Sequence, residues 1–110
     1  MNTVVIGVGT NLGDRLQNMN TAVRALNLLP RTQVTRASRV YETAPVGVAE
    51  QPMFLNAVLE VETEMSPLSM LGACLGIEAS MGRVRKEKDG PRIIDLDLIL
   101  FGGVRSDTFE

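Results

Sequence analysis

The chain is predicted to be an α+β fold, an antiparallel sheet carrying two helices on one face. Three observations predict it. Segments with period-two alternation are interleaved with segments of helical period. Each helical segment opens on a residue suited to an N-cap. Glycine or proline stands at most of the junctions between them.

Taken in order, Thr3 to Gly9 is a β-branched run ending in glycine, the first strand. Asp14 can cap a helix whose apolar residues are Leu16, Met19, Val23 and Leu26, and Pro30 stops it. Gln33 to Tyr41 is the second strand. Glu42 to Pro52 carries Pro45, Gly47 and Pro52 and is expected to be a loop. Phe54 to Thr63 alternates and is the third strand. Ser66-Pro67 is a capping serine followed by proline at the first helical position. Leu71, Cys74, Leu75, Ile77 and Met81 form the expected apolar face of that helix, and Gly82 can end it. Ile93 to Phe101 is the fourth strand, with Gly102-Gly103 turning away. The order βαββαβ is the ferredoxin-like pattern, with expected strand order 4-1-3-2.

The composition fits a soluble globular protein, with 45% hydrophobic and 22% charged residues among 110. That length suits one domain, residues 1–110. No apolar run approaches the ~20 residues of a membrane span, and no signal peptide is evident. Cys74 is the only cysteine, so no internal disulfide is possible and a cytoplasmic setting is expected. A net charge of -2 argues against a general nucleic-acid binder. Histidine is absent, which removes the commonest general base and transition-metal ligand.

Alternation also sorts side chains between the two sheet faces. Leu55, Ala57, Leu59 and Val61 should meet the helices, as should Val4, Ile6 and Val8, and Ile94, Leu96, Leu98 and Leu100. The other face then carries Phe54, Asn56 and Val58, then Val5, Gly7 and Gly9, then Asp95 and Asp97. With the first strand between the fourth and third, the acids and the Phe54/Asn56 pair stand roughly 10 Å apart. The glycines between them leave room for a ligand against the backbone.

Asp95 and Asp97 offer hard oxygen ligands suited to Mg²⁺ beside phosphate. The bland alternative is an acidic, solvent-facing strand, although aspartate is a poor strand former. Arg83, Arg85, Lys86, Lys88 and Arg92 fall within ten residues, and arginine forks suit phosphate oxygens. Their bland alternative is a solvated loop, since Glu87 and Asp89 lie among them. Gly9 to Asp14 matches neither the dinucleotide glycine pattern nor the P-loop and reads as a strand-to-helix turn. Cys74 reads as core, and Tyr41, Phe101 and Phe109 as packing rather than as a stacking platform.

Several stretches together resemble one enzyme family. They are Gly9 to Arg15, Tyr41 to Gly47, Gln51 to Ala57, Ile77 to Arg85, and above all Gly90-Pro91-Arg92 through Asp97. In this order they resemble the 6-hydroxymethyl-7,8-dihydropterin pyrophosphokinases of folate biosynthesis. The resemblance implies transfer of pyrophosphate from ATP to the pterin hydroxymethyl group, with release of AMP, on a ferredoxin-like core. It implies that Asp95 and Asp97 bind two Mg²⁺ ions at the ATP triphosphate. Arg83 and Arg92 would contact phosphates and support transfer, with Arg85 and Lys88 assisting. Leu71 and Glu78 would lie at the nucleotide. Thr43, Val46 and Asn56 would hydrogen-bond the pterin, and Phe54 would stack on it. Ala44 stands where many members have proline. Members usually continue for several tens of residues, so residues 1–110 are expected to lack that C-terminal segment. The implied partners are small molecules, with no nucleic acid and no membrane, and the expected state is a monomer. A non-catalytic relative binding nucleotide or pterin is the alternative. A single-stranded RNA module shares the element order but needs stacking aromatics where the first strand here has glycines.

Overall fold

The computed structural model describes residues 1–45, 50–83 and 91–102. Seven elements follow in order: β1 (Asn2–Thr10), α1 (Arg15–Asn27), β2 (Thr32–Ala37), β3 (Tyr41–Thr43), β4 (Phe54–Thr63), α2 (Pro67–Ser80) and β5 (Asp95–Phe101). The fold is α+β. All strand pairs are antiparallel, and the sheet runs β2-β4-β1-β5, with β3 also paired to β4.

This differs from the four-strand expectation by the fifth strand, β3. The segment anticipated as one strand to Tyr41 ends at Ala37, and the chain pairs again at Tyr41–Thr43. The Ser38 hydroxyl accepts from Val58 N (2.7 Å), and Ser38 N donates to Val58 O (2.8 Å). Glu42 and Thr43 therefore belong to the sheet rather than to a loop, with Glu42 opposite Leu55 and Thr43 opposite Phe54.

Both helices start where their caps predict. The Asp14 carboxylate accepts from Gln17 N at 3.1 Å, and the Ser66 hydroxyl from Ser69 N at 3.1 Å. Gly82 follows α2 at φ +91, a backbone conformation that suits glycine. The helices share one core with the sheet: Val4, Ile6 and Val8 of β1 and Ala57, Leu59 and Val61 of β4 pack with Met19, Ala22 and Leu26 of α1 and Met70, Cys74 and Ile77 of α2.

Three packing expectations are corrected. Leu16 on α1 is 56% exposed, and Leu71 and Leu75 on α2 are exposed while Met70 faces the core. The α2 sequence is apolar nearly all round, so its period does not single out one face. Leu100 is also exposed. A register shift in the β1–β5 ladder pairs Ile6 with Leu98 and Val5 with Leu100, which leaves Ile99 unpaired. Such a bulge resets the alternation, and Phe101 rather than Leu100 turns to the core. Among the described residues no helix is long and apolar enough to cross a membrane.

Candidate functional site

The helix-free face of the sheet holds a cleft of about 390 Å³. Its floor is set by register. Gly9 of β1 lies between Asn56 of β4 and Asp95 of β5, and Gly7 lies between Val58 and Asp97. A Cβ on Gly9 would stand 3.2 Å from Asn56 Oδ1, 3.7 Å from Phe54 Cδ1 and 3.9 Å from Asp95 Cβ. One on Gly7 would stand 3.0 Å from Ile99 Cδ1. Only glycine leaves this central strand low enough for a flat ligand to bridge both ends.

One end is acidic and basic together. Asp95 Oδ1 pairs with Arg83 Nη2 at 3.0 Å, and Asp95 Oδ2 pairs with Arg92 Nη1 at 2.7 Å. Asp97 lines the same cleft, two residues along the strand face. Arg83 comes from just beyond α2 and its side chain is 7% exposed. Glu78, buried on α2, holds it from below: Oε1 lies 3.3 Å from Arg83 Nη1, and Oε2 accepts from Leu96 N at 2.7 Å. One carboxylate thus anchors the arginine to β5. The Nε of Arg83 is buried with no hydrogen-bond partner among the described residues. A buried donor without a partner is costly, and here it sits on a cation that stands behind the cleft and pairs with Asp95 of its lining.

The other end is aromatic and neutral. Asn56 Nδ2 donates to Thr43 Oγ1 at 2.7 Å, which fixes the amide across the β3–β4 pair. Phe54 lies opposite Thr43, and Tyr41 opposite Asn56. All four line the cleft. An amide, a hydroxyl and two aromatic rings suit a planar heterocycle with polar edges.

Phe54, Asn56, Asp95 and Asp97 thus meet in one cleft, as their strand positions anticipate, joined by Thr43, expected in a loop, and Arg92, expected in the basic stretch before the last strand. Arg83 and Glu78 stand behind it, joined to Asp95 and Leu96. Leu71 is on the exposed side of α2, outside the cleft lining. Val46, Arg85 and Lys88 lie outside the described residues, as does Phe109. Tyr41, expected to pack, is 47% exposed and lines the cleft. Its sequence signal is the face it shares with Thr43, obscured because Gln33 to Tyr41 reads as one strand and Thr43 as loop. Cys74 is core as expected. Burial, then the charges of Glu78 and Asp97, push its thiol up to about 11.

Comparison with known sequences gives concordant matches. The family model described as 7,8-dihydro-6-hydroxymethylpterin-pyrophosphokinase matches residues 5–107. The 2-amino-4-hydroxy-6-hydroxymethyldihydropteridine pyrophosphokinase of Methylorubrum extorquens is 39% identical over 105 residues, 96% of this chain and 66% of that protein. The protein of that name from Bacillus subtilis is 38% identical over 107 residues, 97% of this chain and 64% of its own length. Folic acid synthesis protein fol1 of Schizosaccharomyces pombe is 42% identical over 96 residues, 87% of this chain and 13% of that protein. The chain spans at most 66% of the length of these relatives.

Proposed function

Because the chain belongs to the 7,8-dihydro-6-hydroxymethylpterin-pyrophosphokinase family, we propose that it transfers the terminal pyrophosphate of ATP to the hydroxymethyl group of 6-hydroxymethyl-7,8-dihydropterin, releasing AMP. The observation that carries this reading is Gly9 in register with both Asn56 and Asp95. A glycine-floored slot there joins a heterocycle end to a phosphate end. Phe54 stacks on the pterin, while Thr43, Val46 and Asn56 hydrogen-bond its edge. Arg83 and Arg92, with Arg85 and Lys88, take the phosphates. Leu71 faces the nucleotide from α2, and Glu78 contributes by holding Arg83. The same reading places the protein in the cytoplasm, where the lone thiol of Cys74 stays reduced.

Asp95 and Asp97 fit Mg²⁺ by the chemistry of the donor set. Among the described residues no group of three or more His, Cys, Asp or Glu side chains could hold an ion. Two carboxylates completed by water and substrate phosphates are the usual Mg²⁺ arrangement in phosphate transfer. When bound, one or two such ions neutralise the triphosphate and align it for in-line attack. The chain's own part is positioning. Arg83 Nε is a buried donor with no partner among the described residues, so a phosphate oxygen beside it displaces none of them. Residues 1–110 hold no histidine. What these residues contribute to the rate is approach geometry and charge stabilisation.

The test is AMP formation from Mg-ATP and the dihydropterin alcohol at high protein concentration, with the chain and with Asp97→Ala. We expect the variant to lose about 10²–10³ in rate, the scale for removing one transition-state stabiliser. Unchanged turnover would remove Asp97 from the metal site. No AMP, with both ligands still bound, would select a non-catalytic binder.

A further inference from the structure

The turn between β1 and α1 does more than change direction. Asn11 is 1% exposed, and a buried amide is destabilising unless its polar atoms are met. Here they all are. Its Nδ2 donates to Gln51 Oε1 at 2.8 Å and to Pro52 O at 3.0 Å. Its Oδ1 accepts from Arg92 N at 2.7 Å, and its backbone N–H donates to Arg92 O at 3.0 Å. One side chain therefore grips two segments distant in sequence. Gln51-Pro52 runs directly into Phe54, and Arg92 runs into Asp95. Arg15, the first residue of α1, adds a second hold on the first segment: its Nη1 donates to Met53 O at 2.8 Å and to the Glu42 carboxylate at 2.9 Å.

We infer that Asn11 is a positioning residue that clasps the heterocycle side of the cleft to its phosphate side, so that occupancy of one side is felt at the other. The inference rests on the pyrophosphokinase reading for what occupies each side, but not for the clasp itself. The side-chain choice is chemically narrow. The site needs one acceptor toward an N–H and two donors toward two oxygens at the reach of a single methylene. Aspartate has the length and no donor. Serine has one donor and falls short. Coupling follows because a segment shifted by a ligand at one end moves the partner of the other through a single rigid amide plane.

A purely structural role would lower stability and weaken both ligands in the same proportion. Asn11→Asp separates the two cases. It keeps an acceptor for Arg92 N and sets a carboxylate oxygen against the Pro52 carbonyl, where no proton is available. Three readouts apply: amide hydrogen exchange on the ligand-free chain, affinity for a non-hydrolysable Mg-ATP analogue, and affinity for the dihydropterin alcohol with that analogue bound. We expect the Arg92 amide to keep its protection while the Met53 and Phe54 amides exchange faster. Pterin affinity should fall about tenfold, the scale of a lost hydrogen bond to a buried group, with the analogue's affinity changed less than about twofold on the same scale. Equal weakening of both ligands, or no change in either, would overturn the inference. Should Asn11→Asp not fold, Gln51→Ala cuts one link from outside and carries the same test with a smaller loss. If the unaltered chain binds neither ligand, the pyrophosphokinase reading fails, and the exchange pattern by itself supports or overturns the clasp.

Discussion

Gly9 lies on the cleft floor between Asn56 and Asp95, and its substitution isolates what the slot does. Its φ is not among the positive ones, so alanine fits the backbone of β1 and strand geometry is kept. The added methyl must instead push on Asn56 Oδ1 at 3.2 Å, with Phe54 Cδ1 in ordinary contact at 3.7 Å. Overpacking in a close-packed core costs about 1–3 kcal/mol, but here the atom that must give way borders the open cleft, so the pressure falls on the ligand surface and little of that cost reaches the fold. We expect Gly9→Ala to raise the pterin KM at least tenfold while leaving the melting temperature nearly unchanged. Unchanged KM would mean that no ligand approaches β1 there. At this scale, legibility depended on how far a residue's partners lie along the chain. Asp95, Asp97, Phe54 and Asn56 were found by alternation, a local rule. Asn11 was not, because its side-chain partners are 40, 41 and 81 positions away and nothing local distinguishes it from an ordinary turn residue.

Among elements, the strands and helices were found because caps and period-two runs are local signals. Their faces and ends were less legible. The α2 face was ambiguous because two faces carry apolar residues at helical spacing, the exposed Leu68, Leu71 and Leu75 and the buried Met70, Cys74 and Ile77, and the Ile99 bulge leaves no mark in an unbroken apolar run. β3 was hidden by three residues, Ser38 to Val40, that interrupt the ladder without a glycine or proline. The edge strand β2 supplies an element-scale prediction. Arg36 forks onto both carboxylate oxygens of Glu60 on β4, and Thr35 Oγ1 donates to Glu60 Oε1 at 2.8 Å. These hydrogen bonds, from Arg36 first and Thr35 second, outweigh burial and hold the Glu60 carboxyl below its ordinary value of 4.5. A carboxyl with a lowered folded pKa stabilises the fold fully above its unfolded pKa. That contribution disappears as pH falls from about 4.5 through the folded value. The melting-temperature gap between the chain and Glu60→Gln should therefore be full at neutral pH and close in acid. A gap that stays constant from neutral to strongly acid solution would remove this pair from the acid stability of the sheet.

For the molecule as a whole, the arrangement is asymmetric. Both helices and the main apolar cluster lie on one side of the sheet, and the other side presents the cleft. A ligand in the cleft touches β4, β1 and β5 together, so binding there should stabilise the fold globally rather than locally. The ligand-free charge pattern sets how. Both oxygens of Asp95 are already taken by Arg83 and Arg92, so a divalent cation alone must displace two ion pairs. A polyphosphate that arrives with the cation gives both arginines new anionic partners while the carboxylates turn to the metal. On the proposed reading, Mg²⁺ alone should barely move the melting temperature, and nucleotide in EDTA should move it slightly. The two together at 100 times Kd should add about 2.7 kcal/mol. For a domain of this size that is a rise of about 10 °C. Chelating the metal should reverse it. A full shift with Mg²⁺ alone would mean that the arginines do not guard Asp95, and a full shift with nucleotide in EDTA would mean that the acids are not the metal site.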